Sequence, residues 1–175
     1  VDTRLHHLQR EAEIVTNSEL ADLLTVFLRE RTALLQRHEE VAKQVTDYDV
    51  NNTYQYIVAR EETHQSWLHH ALLDLGAHIP AEPSRPTLGV GKGDAWKTLS
   101  AEDARANQEF VTRWRPKVEE MTHARHKGML SVLLGEMLEH KRFFDQAAAG
   151  RTDLLGLALP INQHRGTVID TRWVE

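Results

Sequence analysis

Cysteine is absent from the 175 residues. That excludes disulfides, thiol nucleophiles and thiolate-held zinc or iron–sulfur centres, and it fits the cytoplasm. No stretch approaches the roughly 20 apolar residues of a bilayer-spanning helix, so no membrane partner is expected. A basic surplus is missing too. Lys and Arg total 21 against 26 Asp and Glu, a formal net charge of -5, which gives no electrostatic footprint for nucleic acid. The residues after Val1 carry no basic-then-apolar leader pattern. Strand patterns are nearly absent, which leaves helices to build the fold.

What is present is ordinary for one globular domain with its own core: 41% hydrophobic and 27% charged residues. Histidine stands out at 11 residues. Without thiolates, any transition-metal site must use imidazole and carboxylate, a donor set suited to iron, manganese or zinc.

Periodicity sets the layout. Leu5, Leu8, Ala12 and Val15 predict a short leading helix. Thr16-Asn17-Ser18-Glu19 reads as a capping box that opens the next one. There Leu20, Leu24, Phe27, Arg31, Leu34, His38, Val41 and Val45 follow at three- and four-residue steps and so share one face. After a polar turn at Asp47-Tyr48-Asp49, a second stripe runs Val50, Tyr54, Ile57, Glu61, His64, Leu68, Leu72, Leu75. Gly76 is the expected terminator.

Residues 77–100, with Pro80, Pro83 and Pro86 and three glycines, predict a long crossover. Its Gly89-Val90-Gly91-Lys92-Gly93 run lacks the preceding strand and the following Ser or Thr of a phosphate loop. Helices are expected over roughly 101–126 and 129–149, with a turn near His126-Lys127-Gly128. A rival parse breaks at Pro116. Residues 1–150 then form one helical-bundle domain. Residues 151–175 form an irregular tail, in which Leu154, Leu155, Leu157 and Leu159 dock on the bundle and Thr167 to Val174 lies extended on this subunit or a partner.

The second stripe carries the most informative feature. Glu61 and His64 fall where only apolar residues are expected, and a buried carboxylate and imidazole need a compensating partner. Glu-x-x-His is the spacing by which helical bundles hold paired metals. Other acidic and imidazole groups lie near the expected core: Glu30 and His38 on the first long helix, Glu120 and His123 on the third, Glu136 and His140 on the fourth. Arg31 also lies on the core stripe. Its ordinary reading is a stem that reaches the edge. The alternative is a buried countercharge that takes the place of a metal. The four tryptophans read as packing or interface residues.

Phe27-x-x-Glu30, Ala59-x-Glu61-x-x-His64 and Leu72-x-x-Leu75-Gly76 together resemble the first half of a ferritin-like protein, nearest its rubrerythrin-like branch. The resemblance covers residues 18–76. It implies an all-α four-helix bundle of ferritin-like topology, with a crossover between second and third helices. It also implies two metals held by a Glu from one helix of each pair and Glu-x-x-His from the other. The second half departs from this. Met137 stands three before His140, Glu136 is one place off, and Glu120-x-x-His123 lies on the third helix.

The resulting candidate metal set is Glu30, Glu61, His64, Glu120, Glu136 and His140. Iron, or manganese or zinc, is the implied cofactor, with iron oxidation, peroxide reduction or oxygen-dependent hydroxylation as the implied reaction classes. The stretch His123-Ala124-Arg125-His126-Lys127-Gly128 also resembles the motif of DinB-like bundles, which hold one metal through three histidines. Its spacing is one shorter, and Lys stands for Arg. The alternative from a different class is a metal-free structural or interaction protein that pairs helix faces into a homodimer.

Overall fold

A computed structural model describes residues 2–89, 93 and 95–156, with side chains from Asn17 onward. Among the described residues the secondary structure is four helices and no strand. They are α1 (Asp2–Ala42), α2 (Tyr48–Asp74), α3 (Ala95–Glu119) and α4 (Ala124–Ala148).

The two core stripes are buried as their spacing requires. Val50, Tyr54, Ile57, Glu61, His64, Leu68 and Leu72 of α2 are all buried, and so are Leu20, Leu24, Phe27, Arg31, His38 and Val41 of α1 and Val45 just beyond it, while Leu34 and Leu75 are half-buried. Two apolar clusters result. Leu24, Phe27, Leu68, Leu72, Trp114, Val118, Leu130 and Leu133 belong to one end. Val41, Val45, Val50, Tyr54, Trp96, Phe144 and Ala147 belong to the other. By these ends α1 runs antiparallel to α2, α3 antiparallel to α4, and α2 parallel to α3. The link 75–94 reconciles the directions: Ala77 packs on the first cluster and Leu88 on the second. Its described part lies along α1, tied by Gln36 to Glu82 and by Arg85 to Glu39 and Glu40.

The helix ends have local causes. Asp47 caps α2 by accepting from the Val50 amide at 3.0 Å. At the other end Gly76 takes φ 71°, the Ala77 amide donates to the Leu72 carbonyl, and the Gly76 amide to Leu73. This is the Schellman arrangement, and it needs the left-handed conformation glycine adopts without strain.

Three boundaries differ from expectation. The leading helix and the first long helix are one continuous α1, because no proline or glycine in Thr16-Asn17-Ser18-Glu19 compels a stop. Helix α3 begins at Ala95, so the link is shorter than 77–100. The turn between α3 and α4 falls at residues 120–123, not at 126–128. Gly128 stays helical without a positive φ, and α3 carries Pro116 within its last turn. Leu154 is buried against the second cluster while Leu155 is half exposed. Leu157, Leu159 and Thr167 to Val174 lie outside the described residues.

Candidate polar centre of the bundle

Between the two apolar clusters the four helices meet through polar side chains. Glu61 of α2 is fully buried. Its Oε1 accepts from Arg31 Nη1 at 3.0 Å, and its Oε2 lies 2.8 Å from His38 Nδ1. Arg31 and His38 come from α1, seven residues apart and on the same face. They are 2% and 0% exposed. His140 of α4 approaches the same carboxylate, but its Nδ1 stops at 3.6 Å from Oε1, too long for a hydrogen bond. The Arg31 guanidinium also lies over the Phe110 ring of α3, 5.9 Å from its centroid.

A second group adjoins the first. Glu136 of α4 receives Arg60 of α2 through two bonds, Nε at 3.0 Å and Nη2 at 2.5 Å. His64 Nε2 lies 2.9 Å from Glu136 Oε2. The His64 and His140 rings are nearly parallel, 14° apart with centroids 6.4 Å apart.

Charge states follow from these surroundings. Burial alone would raise the Glu61 pKa, but the charges of His38 and Arg31 hold it well below the usual carboxylate range. Burial would lower that of His38, yet the Glu61 charge and hydrogen bond outweigh it and hold the imidazolium above its ordinary value. His64 is the opposite case. Burial, with Arg31 adding to it, drives its pKa down to about 4, against the weaker pull of Glu136. His64 is therefore a neutral ring at pH 7 that donates Nε2–H to Glu136, leaving Nδ1 as an acceptor.

A third group stands nearer the other end. Asp103 of α3 is fully buried and accepts from Arg37 Nε at 2.6 Å and from the Tyr54 hydroxyl at 2.8 Å. Burial and the neighbouring Asp103 charge push the Tyr54 phenol above its usual pKa. Arg37 also reaches Glu102 at 2.8 Å.

The structure brings together four of the six candidate residues: Glu61, His64, Glu136 and His140. Glu30 lies elsewhere. It is turned toward α3, where the Trp114 indole and Arg113 each donate to its Oε2 at 2.7 Å. Glu120 stands exposed in the α3–α4 turn, because α3 has already ended there. His123 is exposed at the start of α4, its Nδ1 2.8 Å from Nδ1 of the buried His126. Among the described residues no third imidazole completes a DinB-like set there.

Arg60, Asp103, Asn107 and Tyr54 were not among the candidates. A signal existed for three of them. Tyr54 stands on the α2 stripe. Asp103 and Asn107, the latter donating to the Met137 carbonyl of α4, stand on an α3 stripe of Trp96, Ser100, Asp103, Asn107, Phe110, Trp114 and Val118 in three- and four-residue steps, all buried.

Iron, manganese or zinc held in the ferritin-like manner needs carboxylates free to ligate and nitrogens or oxygens about 2.0–2.2 Å from the ion. This donor set does not fit a paired-metal centre. Glu61 is matched by Arg31, Glu136 by Arg60, Asp103 by Arg37 and Glu30 by Arg113. Each of these four carboxylates already has a guanidinium bonded to it, which occupies the oxygens that two divalent ions would need. Among the described residues no three His, Asp or Glu side chains converge as a metal group would. No known protein-family model, characterised protein or solved structure matches this chain significantly.

Proposed function

We propose that this protein is a metal-independent helical bundle of ferritin-like plan that works by association and not by oxygen or peroxide chemistry. The ferritin-like plan is supported by the parallel sense of α2 and α3 and by a crossover link that follows α1 between them. Metal independence rests on one observation: Arg31, 2% exposed, donates to Glu61 at 3.0 Å. A permanent cation already compensates the carboxylate that most needs one. Arginine does not deprotonate in proteins, and its guanidinium is buried over the Phe110 ring of α3. Burying such a pair stabilises little in itself, but it makes the match between helices specific.

A second reading is favoured by a separate observation. His38 Nε2, His64 Nδ1 and His140 Nδ1 are buried and have no hydrogen-bond partner. Unpaired buried polar atoms are unfavourable, and one iron, manganese or zinc ion drawing on His64 and His140 would use two of them. Ordered water would serve equally well.

Metal analysis of protein expressed with iron, manganese and zinc supplements separates the two. The expected result is well below one equivalent of any of them, with a melting temperature indifferent to chelator. About one equivalent of metal, lost in His140→Ala, would overturn the metal-independent reading and support the second.

A further inference from the structure

The outward face of α4 carries a stripe that the fold itself does not use. Arg125, Gly128, Val132, Gly135, Glu139 and Arg142 follow at alternating three- and four-residue steps, and all six are exposed. Such steps set them on one face. The buried residues Leu130, Leu133, Leu134 and Met137 belong to the opposite one. Val132 is a β-branched apolar residue left 51% exposed. Residues 82–85 of the link are tied to α1, and among the described residues no segment covers this side of α4.

The two glycines sharpen the question. Glycine is the weakest helix former after proline, yet both sit inside regular helix. Neither has a positive φ, so no turn calls for them. A Cβ added at either would meet nothing within 4 Å, so no packing inside the chain calls for them. They flank Val132 on its own face. A missing Cβ there benefits only something that approaches from outside.

We propose that this face of α4 is the interface of a symmetric homodimer, with the two α4 helices antiparallel and crossing at Val132. In an isologous interface residue i faces residue j, and j faces i. With Val132 on the two-fold axis, Arg125 comes seven residues before it and Glu139 seven after, each about 10 Å along the helix. Arg125 of each copy then faces Glu139 of the other, and the opposite-charge pair forms twice. Gly128 and Gly135, which lack a Cβ, leave the helix backbone open to close approach by the partner on either side of the axis.

A parallel pairing would set Arg125 on Arg125 and Glu139 on Glu139. This self-complementarity about one residue is what identifies a second copy of this chain as the occupant. Arg125 has an internal neighbour in Asp74 at 3.3 Å, but both are largely exposed, and such a pair is weak and easily shared. The proposal names the partner for the association argued above. It lies on the outer surface, so molecular mass and metal content test the two ideas separately.

The experiment is sedimentation velocity or light scattering on the full chain, from low micromolar to several hundred micromolar. Wild type should give twice the 20.1 kDa chain mass. Arg125→Glu and Glu139→Arg should each weaken association by about tenfold or more, and the double variant should recover it. Gly135→Leu should weaken association while the far-ultraviolet helical signal is kept, which separates loss of the dimer from loss of the fold. A monomer at every concentration would overturn the proposal. So would a dimer indifferent to Gly135→Leu, or a charge swap that fails to recover association.

Discussion

Two histidines in the centre are held in opposite states by their neighbours, and this gives the stability a predicted shape against pH. His38 has a folded pKa above its ordinary value. Its contribution is complete below about 6.5, the unfolded value, and is lost as pH rises through the folded one. His64 has a folded pKa of about 4. Between that value and about 6.5 the unfolded chain binds the extra proton, so stability falls as pH falls through this window. The lowered pKa of Glu61 adds a further loss at more acidic pH. Stability measured by denaturant unfolding should therefore peak near pH 6.5. His38→Gln should flatten the alkaline side and leave the acid side in place. A profile still falling above pH 7 in that variant would count against the assignment.

At the scale of elements, caps and glycines decide where helices stop, and they act only where the local geometry uses them. Asp47 does so for α2, and Asp47→Ala should cost about 1 kcal/mol in chemical denaturation. Gly76 and Gly150 both take positive φ at helix ends, whereas Gly128 has the same side chain and ends nothing. The α2 terminator was legible in the sequence because apolar spacing stops just where glycine stands. The α3–α4 turn was not. Pro116 and Gly128 are two weak signals twelve residues apart, and the break falls between them. The Thr16 to Glu19 capping signal was overridden for a related reason: a cap stabilises a helix start but does not compel one.

At the scale of the molecule, two apolar ends are joined by a polar middle in which every buried carboxylate faces a guanidinium. Breaking one pair should cost more than removing it. Glu61→Ala leaves the Arg31 guanidinium buried without its carboxylate and should destabilise by about 3–5 kcal/mol. Arg31→Met combined with Glu61→Leu should recover most of that loss, because an apolar pair of similar size needs no countercharge. If the double variant is as unstable as the single one, the ion pair is not the main source of the effect.

Sequence alone determined that the chain is helical, that α1 and α2 each bury one stripe, and that Glu61, His64, Arg31 and His38 lie on those stripes. Helical periodicity is a local property, readable from spacing without knowing what packs against it. Only the tertiary structure decided which polar group meets which. Glu30 and Glu61 are both carboxylates beside core residues, yet one turns toward Trp114 and Arg113 and the other toward Arg31 and His38. Small differences in helix rotation and depth set that choice. Partners at sequence separations of 23 to 84 residues leave no mark in any local pattern.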